Sequence, residues 1–295
     1  MIRKIAQELD FPAEAVDYLA EQQTRLLSNA KATSLLGAVM DDLFMQSDPS
    51  LAEKLGMIAT ETGLHSYTVD MIFLLLSAYP LRYLYRQRGI DEKIYIDTLK
   101  DLKYKLMECK KLHGVWGTFV GQRWYPRFFR MELFALGRLQ YETKPFAMES
   151  YKDLLKKDDL VCNCHIPSSG TLLKEDVIAS LKQAYEFFPH LRRNGILPIT
   201  CNSWLLYPPV AELFKKDSNM EQFYKIFEVL STKEQEHNTD FWRIFNLPFS
   251  EENLQNAPEN SSLQRNIKEF LQAGNHLGAG LGIILFDGEN ILTQR

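Results

Sequence analysis

The stretch at residues 160–188 constrains the fold of this chain more than any other. Residues 160–166 combine apolar side chains with two cysteines and predict a buried strand, and the small residues at 168–170 predict a turn. Beyond the turn, the apolar residues recur at the spacing of one helix face, at Val177, Ile178, Leu181, Ala184, Tyr185 and Phe188. The stretch therefore predicts a strand, a short loop and a helix, in that order.

A loop of small residues between a strand and a helix is suited to binding an anion. The first N–H groups of a helix have no partner inside the helix, and the helix dipole places partial positive charge at the same end. The turn at 168–170 and the helix start that follows it therefore predict a site for a phosphate group, such as that of a cofactor. The same pattern is also that of an ordinary strand-to-helix turn with a polar cap, and the residues alone leave both interpretations open.

Composition indicates a globular chain and excludes some function classes. The 295 residues are 45% hydrophobic and 24% charged, and a chain of this length is expected to form two domains of roughly 100–200 residues each. The net charge of −4 argues against a general nucleic-acid-binding protein, which carries a basic surface. Four unevenly spaced cysteines do not suggest a disulfide framework and fit a reducing cytoplasm. The longest apolar run is well short of the roughly 20 residues of a membrane span, so no membrane partner is expected.

A change in composition and periodicity at Gly114 predicts where one domain ends and the next begins. Residues 1–112 carry helical spacing throughout and predict a helical N-terminal domain. After Gly114 the chain becomes aromatic and loses that period, so residues 113–295 are expected to form a second domain. Its predicted strands lie at residues 134–141, 160–166, 196–207 and 239–245, followed by a closing hairpin at 280–292. Strands and helices in this order predict a mixed α+β domain around one sheet.

Between these strands the sequence predicts further helices and one long loop. Ser218 and Glu221 have the spacing of a capping box, which predicts a helix running through Leu230. Residues 248–260 are polar and predict a loop, and Asp287-Gly288 predicts the turn of the closing hairpin.

Candidate catalytic groups lie near the central strand. Cys162, Cys164 and His165 are too few and wrongly spaced for zinc, so no metal is expected. Cys164 as a nucleophile with His165 as its base is disfavoured, because neighbours on a strand point to opposite faces. His165 alone is able to act as a general base at a strand end, the alternative being a histidine that caps the loop. Tyr207 is able to donate a proton, the alternative being packing.

Three segments together resemble a family of bacterial acyltransferase-domain proteins. They are FALGRLQYE at 134–142, HIPSSGTLLKEDVIASLKQAYEFF at 165–188 and CNSWLLYPPVAELFKKDSNMEQFYKIFEV at 201–229. The C-terminal half of these proteins resembles the GNAT (N-acetyltransferase) fold, and a separate helical domain precedes it. The resemblance covers the whole chain. It implies an α+β fold, with an all-helical N-terminal domain followed by a GNAT-like mixed α/β domain around one central sheet.

The resemblance to GNAT proteins implies an acyl-coenzyme A site. In that fold the pantetheine arm of coenzyme A fills a wedge between two diverging strands, and its diphosphate binds the loop before the next helix. On this chain the wedge lies between 161–166 and 199–206, and the loop is 167–172. The residues implied to bind the cofactor are Ile166, Ser168, Ser169, Gly170, Thr171 and Asn202. Direct transfer to an amine needs a base and an acid, for which the candidates are His165 and Tyr207.

The phosphate loop departs from the usual GNAT pattern. That pattern is Arg or Gln, two residues, Gly, one residue, then Gly or Ala, whereas this loop reads Pro-Ser-Ser-Gly-Thr-Leu with one glycine. Either the serine hydroxyls help to bind phosphate, or the cofactor site is lost or altered. The first alternative predicts a cytoplasmic acyltransferase that uses acyl-CoA and a small-molecule acceptor, an amine or similar nucleophile. The second predicts a non-catalytic GNAT-shaped protein, with side chains such as Trp204 filling the wedge.

Overall fold

The computed structural model describes residues 1–45, 50–120 and 124–293. The chain forms two compact units, Met1–Ala135 and Leu136–Arg295. The helices of the first unit end at Phe129 and the strands begin at Leu133, so the expected α+β class is confirmed.

Helices build the first unit. Their bounds are α1 Ile2–Glu8, α2 Ala13–Leu27, α3 Ala30–Met45, α4 Leu51–Thr62, α5 Ser66–Gln87, α6 Glu92–Leu99, α7 Asp101–His113 and the short α8 Pro126–Phe129. Residues 68–78 of α5 are all buried. A helix that is buried on every side lies at the centre of its neighbours, so α5 is the core helix of this unit.

The aromatic segment that follows α7 packs within the first unit. The amide of Thr118 donates to the carbonyl of Tyr67 at 3.0 Å, and the hydroxyl of Thr68 donates to the carbonyl of Trp116 at 3.0 Å. The buried aromatic side chains of this segment are Trp116, Tyr125, Phe128 and Phe129. The domain assignment 1–112 and 113–295 stays a prediction.

The second unit is organised around a six-stranded sheet. The strands are β1 Leu133–Leu136, β2 Leu139–Pro145, β3 Ser150–Tyr151, β4 Leu155–Lys156, β5 Leu160–His165, β6 Leu197–Ser203, β7 Glu228–Glu234 and β8 Gly278–Phe286. The sheet order is β1-β2-β5-β6-β8-β7, and β3 and β4 form a separate small hairpin. Strands β5 and β6 pair in parallel, which requires a crossover, and the intervening segment contains a helix.

Helices of the second unit connect the strands. They are α9 Lys174–Phe187, α10 Pro208–Ala211, α11 Asn219–Lys225, α12 Phe241–Phe245, α13 Glu251–Gln255 and α14 Ser262–Gln272. The predicted strand, loop and helix at 160–188 are therefore present as β5, a loop and α9. Helix α9 buries Val177, Ser180, Leu181 and Ala184. The hydroxyl of Ser180 contacts the Tyr141 hydroxyl of β2 at 2.9 Å, which identifies the sheet face that α9 covers.

Two predicted elements near the sheet edges are wrong. Residues 134–141 are not one strand, because Gly137 adopts a φ of +72° and turns the chain between β1 and β2. The helix expected to run through Leu230 ends at Lys225, and residues 228–234 form β7 instead. The apolar residues at 223, 227 and 230 fit helical spacing, but pairing with β8 decides the outcome.

Further corrections fall near the C-terminus. The predicted strand at 239–245 is the helix α12, and the predicted loop at 248–260 contains α13, whose first turn is capped by Ser250. The expected turn at Asp287 is present, since its carboxylate accepts from two following amides. The second arm of that hairpin is reduced to a single bridge between Phe286 and Ile291.

Candidate functional site

The parallel strands β5 and β6 are paired over only part of their length. Cys162 lies opposite Ile199 and Asn163 opposite Thr200, and this is the extent of their ladder. Strand β5 continues to His165, while β6 continues to Ser203 and remains paired with β8 throughout. The backbone of β5 therefore leaves β6 beyond Asn163. This is the place where the resemblance to GNAT proteins implies the wedge.

On the sheet face covered by α9, Cys164 of β5 and Cys201 of β6 each lie one residue past the ladder. The neighbouring thiol of Cys201, together with burial, raises the pKa of Cys164. Burial also raises the pKa of Cys162. Thiolates are the reactive form of cysteine, so buried thiols of this kind serve packing. The prediction that Cys164 is not the nucleophile stays a prediction.

The opposite face of β2, β5 and β6 carries a polar network centred on a carboxylate. Oε1 of Glu142 lies 2.5 Å from Nε2 of His165, 2.8 Å from Nζ of Lys144 and 3.5 Å from Nδ2 of Asn163. The hydroxyl of Thr200 donates to Oδ1 of Asn163 at 3.2 Å. We call these five residues the His165 network. It joins three adjacent strands at the point where β5 and β6 part.

Strand pairing explains why these side chains meet. Glu142 lies opposite Asn163, and Gln140 opposite His165, in the antiparallel ladder of β2 and β5. Opposed residues share a face, and every second residue along a strand shares it too. Glu142, Asn163 and His165 therefore point to one side of the sheet.

Burial differs across the network in a way that matters for chemistry. Glu142 is 3% exposed, so its carboxylate depends on its hydrogen-bonding partners, whereas the His165 side chain is 21% exposed. Nε2 of His165 lies 2.5 Å from Oε1 of Glu142 and 3.1 Å from Nδ2 of Asn163. In the tautomer with its proton on Nε2, the carboxylate accepts that proton and Nδ1 is the basic nitrogen. A histidine oriented by a buried carboxylate and open to solvent is able to take a proton from a bound molecule.

The loop between β5 and α9 is held by an arginine from the β1–β2 turn. Arg138 donates through Nε to the carbonyl of Thr171 at 3.0 Å, through Nη1 to that of Pro167 at 3.1 Å and through Nη2 to that of Gly170 at 2.6 Å. Gly170 adopts a φ of +111°, which favours glycine. The N-cap residue of α9, Leu173, makes no side-chain capping bond.

The remaining predicted residues surround these features without forming one cluster. Ile166 directly follows β5, and Asn202 is exposed near the end of β6, opposite Leu281. Tyr207 is buried, and its hydroxyl donates to Oε2 of Glu234 at 3.4 Å. Burial, with the Glu234 carboxylate, raises the pKa of Tyr207. Within the described ranges, the hydrogen bonds do not link Tyr207 to His165.

Among residues 1–45, 50–120 and 124–293, no group of three or more His, Cys, Asp or Glu side chains is placed to hold a metal ion. None of the helices described in those ranges combines the length and the apolar character that crossing a bilayer requires.

Comparison with protein-family models identifies the fold. Residues 133–284 match the model described as the GNAT-like C-terminal domain. The chain belongs to this family. Residues 2–131 match the N-acyltransferase N-terminal domain. The resemblance stated from the sequence is thereby confirmed, for the helical part as well as for the GNAT-like part.

Solved acyltransferase structures share the fold of this GNAT-like protein. An acyltransferase in complex with decanoyl-CoA superposes with a TM-score of 0.74 at 24% identity, covering 95% of this chain and 86% of the other. An acyltransferase with decanoyl-CoA and teicoplanin gives 0.72 at 20% identity, covering 96% and 87%. A complex with CoA and 10C-teicoplanin gives 0.71 at 20% identity, covering 95% and 86%. No curated protein matches the sequence.

Sequence reasoning missed most of the network and the arginine. Glu142 and Lys144 alternate with Gln140 on β2, and such polar alternation inside a predicted strand is a usable signal. Arg138 and Gln140 share one face of the predicted strand at 134–141, which indicates a strand partly open to solvent or a ligand, or else a half-exposed edge strand. No pattern in the sequence reveals that Arg138 reaches the loop at 167–171.

Proposed function

We propose that this chain is an acyl-CoA-dependent acyltransferase in which His165, oriented by Glu142, is the general base. The observation that carries the proposal is the His165 network at the parting of β5 and β6. The donor would be an acyl-CoA, as in the structural neighbours, and the acceptor a small molecule with an amine or similar nucleophile. The four cysteines are free and buried, which supports action in a reducing compartment such as the cytoplasm.

The loop before α9 supports a diphosphate site. The N-cap residue of α9, Leu173, offers no side-chain acceptor to the first amides of that helix. The predicted cofactor residues Ser168, Ser169, Gly170 and Thr171 lie in this loop, next to the positive end of the helix dipole. The residues present therefore fit a diphosphate, with Ile166 and Asn202 proposed to contact the pantetheine arm.

The proposed chemistry assigns a proton movement to each of two side chains. Bound acyl-CoA supplies an activated thioester. The nitrogen of the acceptor amine forms a bond to the acyl carbon while the carbon–sulfur bond breaks. Nδ1 of His165 takes the proton that the amine loses. Glu142 stabilises the imidazolium that results, since its carboxylate lies 2.5 Å from Nε2. Tyr207 keeps its proton at neutral pH, because its pKa is raised, and gives it to the departing thiolate.

The first experiment asks whether the chain binds the donor and turns it over. Acetyl-, octanoyl- and decanoyl-CoA are titrated by thermal shift, and thiol release is then followed with a panel of primary amines. At a hundredfold excess over Kd, binding stabilises the fold by about 2.7 kcal/mol. Absence of any shift with all three donors at millimolar concentration would refute the proposal.

Two variants test the role of the base. His165→Gln and Glu142→Gln are expected to keep the donor Kd and to lower kcat by about 10²–10⁴-fold, the usual contribution of general-base catalysis. His237→Gln serves as the matched control, because His237 lies in an exposed turn. Unchanged turnover in His165→Gln would remove the base from the mechanism and leave the donor site intact.

A non-catalytic binding protein is the second candidate. The first turn of α9 carries Glu175 and Asp176, and the loop has one glycine, so the site is less favourable for a diphosphate than an uncharged turn would be. This candidate predicts a chain that binds a ligand or partner but releases no thiol with any amine in the panel.

A further inference from the structure

We propose that Arg138 is the positioning residue of the diphosphate loop, turning the loop's amides towards the place where a diphosphate binds. The inference rests on the proposed function, since it assigns a role within the same site. It concerns how a loop with one glycine obtains the backbone orientation that phosphate binding requires.

The hydrogen bonds of Arg138 fix the direction of three peptide groups. The guanidinium draws the carbonyls of Pro167, Gly170 and Thr171 to one side of the loop. In a trans peptide the carbonyl and the following N–H point in opposite directions. The amides of residues 168, 171 and 172 therefore point away from the guanidinium. Three donors aimed from one side of a loop at a helix start are the arrangement that cradles an anion.

The position of Arg138 is itself fixed by α9. The hydroxyl of Ser180 accepts from the amide of Leu139 at 3.1 Å and donates to the carbonyl of Leu136, so it bridges both ends of the turn that carries Arg138. Gly137 lies so close that a Cβ there would meet Nε2 of Gln183 at 3.0 Å. The turn is therefore tied to the same helix that the loop precedes, and the guanidinium has a defined distance from the loop.

This arrangement explains how the atypical loop can bind phosphate without a second glycine. Glycines in such loops allow the backbone to turn its amides towards a ligand. Here Gly170 supplies one such position, and the guanidinium orients the neighbouring peptides by bonding their carbonyls. A lysine cannot replace it, because the planar fork of an arginine presents several donors in fixed directions, whereas an ammonium is a single point charge.

The test compares ligands with and without a diphosphate. Kd is measured for CoA and for pantetheine, which lacks the diphosphate and the nucleotide, in the wild type, Arg138→Gln and Arg138→Lys. In both variants the Kd for CoA is expected to rise by about 10- to 100-fold, the cost of one lost charge-assisted hydrogen bond. The Kd for pantetheine is expected to stay unchanged. In amide NMR spectra, CoA is expected to shift the signals of residues 168, 171 and 172 in the wild type only.

A matched control lies at the other end of the same helix. Arg192 donates through Nε to the carbonyl of Tyr185 at 2.9 Å, so Arg192→Gln removes an arginine-to-carbonyl bond away from the loop. Its CoA affinity is expected to equal that of the wild type.

The outcomes separate this inference from the proposed function. Wild-type affinity for CoA in Arg138→Gln overturns the inference and leaves the acyltransferase proposal standing. Full rescue by Arg138→Lys overturns it too, because charge alone would then suffice. An equal loss of affinity for CoA and for pantetheine in both variants would show that Arg138 maintains the fold in general and does not orient the loop specifically. A wild type that binds neither ligand refutes the proposed function itself.

Discussion

Asp70 is expected to make the first compact unit less stable as pH rises. Its carboxyl lies on α5, is 9% exposed, and burial raises its pKa from 3.8 to about 7. Below pH 3.8 the side chain is protonated in both the folded and the unfolded chain. Between that value and about 7 the unfolded chain ionises while the folded chain keeps its proton, so the free energy of unfolding falls as pH rises. Above about 7 the loss is complete.

The magnitude follows from the size of the pKa change. Each pKa unit corresponds to about 1.36 kcal/mol, so the full penalty is roughly 4 kcal/mol. Asp70→Asn carries no titrating group and escapes this penalty. Burying the new amide has its own cost of about 1–3 kcal/mol, but that cost does not depend on pH. The stability of Asp70→Asn relative to the wild type is therefore expected to rise by up to roughly 4 kcal/mol from about pH 4 to about pH 8.

The assay needs a signal from the first unit alone. Trp116 and Trp124 lie in Met1–Ala135, whereas Trp204 and Trp242 lie in the second unit. Urea unfolding is followed by fluorescence in a Trp204→Phe, Trp242→Phe background, with and without Asp70→Asn, over this pH range. Asp17→Asn is the control, since that side chain is 71% exposed. A stability difference that stays constant with pH would refute the reasoning.

Two further substitutions test packing in the second unit. Gly280→Ala places a Cβ against the carbonyl oxygen of Leu206, so we expect the free energy of unfolding in urea to fall by about 3 kcal/mol or more. Gly37→Ala is the control, because a Cβ there meets nothing within 4 Å, and it should show no loss of stability. Ser180→Ala leaves the Leu139 amide without its hydroxyl acceptor and the Tyr141 hydroxyl without its contact, for an expected loss of about 2–4 kcal/mol. Tyr141→Phe removes one of those bonds and should cost less; an equal or larger loss would contradict the assignment of Ser180 as the hub.

Local sequence patterns were sufficient to predict the central part of the fold. Strand β5, its loop and α9 could be predicted because apolar spacing and small turn residues act over short distances. Strand β7 could not, since four of its seven residues are exposed and its structure depends on pairing with β8, which lies far along the chain. Helix α12 has the pattern of a strand for a related reason: in a segment of five residues, four of them aromatic or apolar, too few positions are available to distinguish the helical from the strand period.

In the candidate site, too, one part could be predicted from the sequence and another could not. His165 is recognisable as a titratable residue at a strand end, but its partners Glu142 and Lys144 reach it only through the register of β2 against β5. A shift of that register by one residue would send both side chains to the other face. The contacts of Arg138 are harder still to predict from the sequence, because the turn that carries it has the residue pattern of a strand.

The charge balance of the His165 network favours a base over a purely structural histidine. Glu142 is buried and would need a cation if it stood alone, and Lys144 already provides one at 2.8 Å. Lys144 therefore places a positive charge beside the carboxylate independently of His165, and a general base must be neutral before it takes a proton. Once the ring takes a proton, the same carboxylate stabilises the new charge at 2.5 Å. A histidine placed only to neutralise Glu142 would duplicate what Lys144 already does.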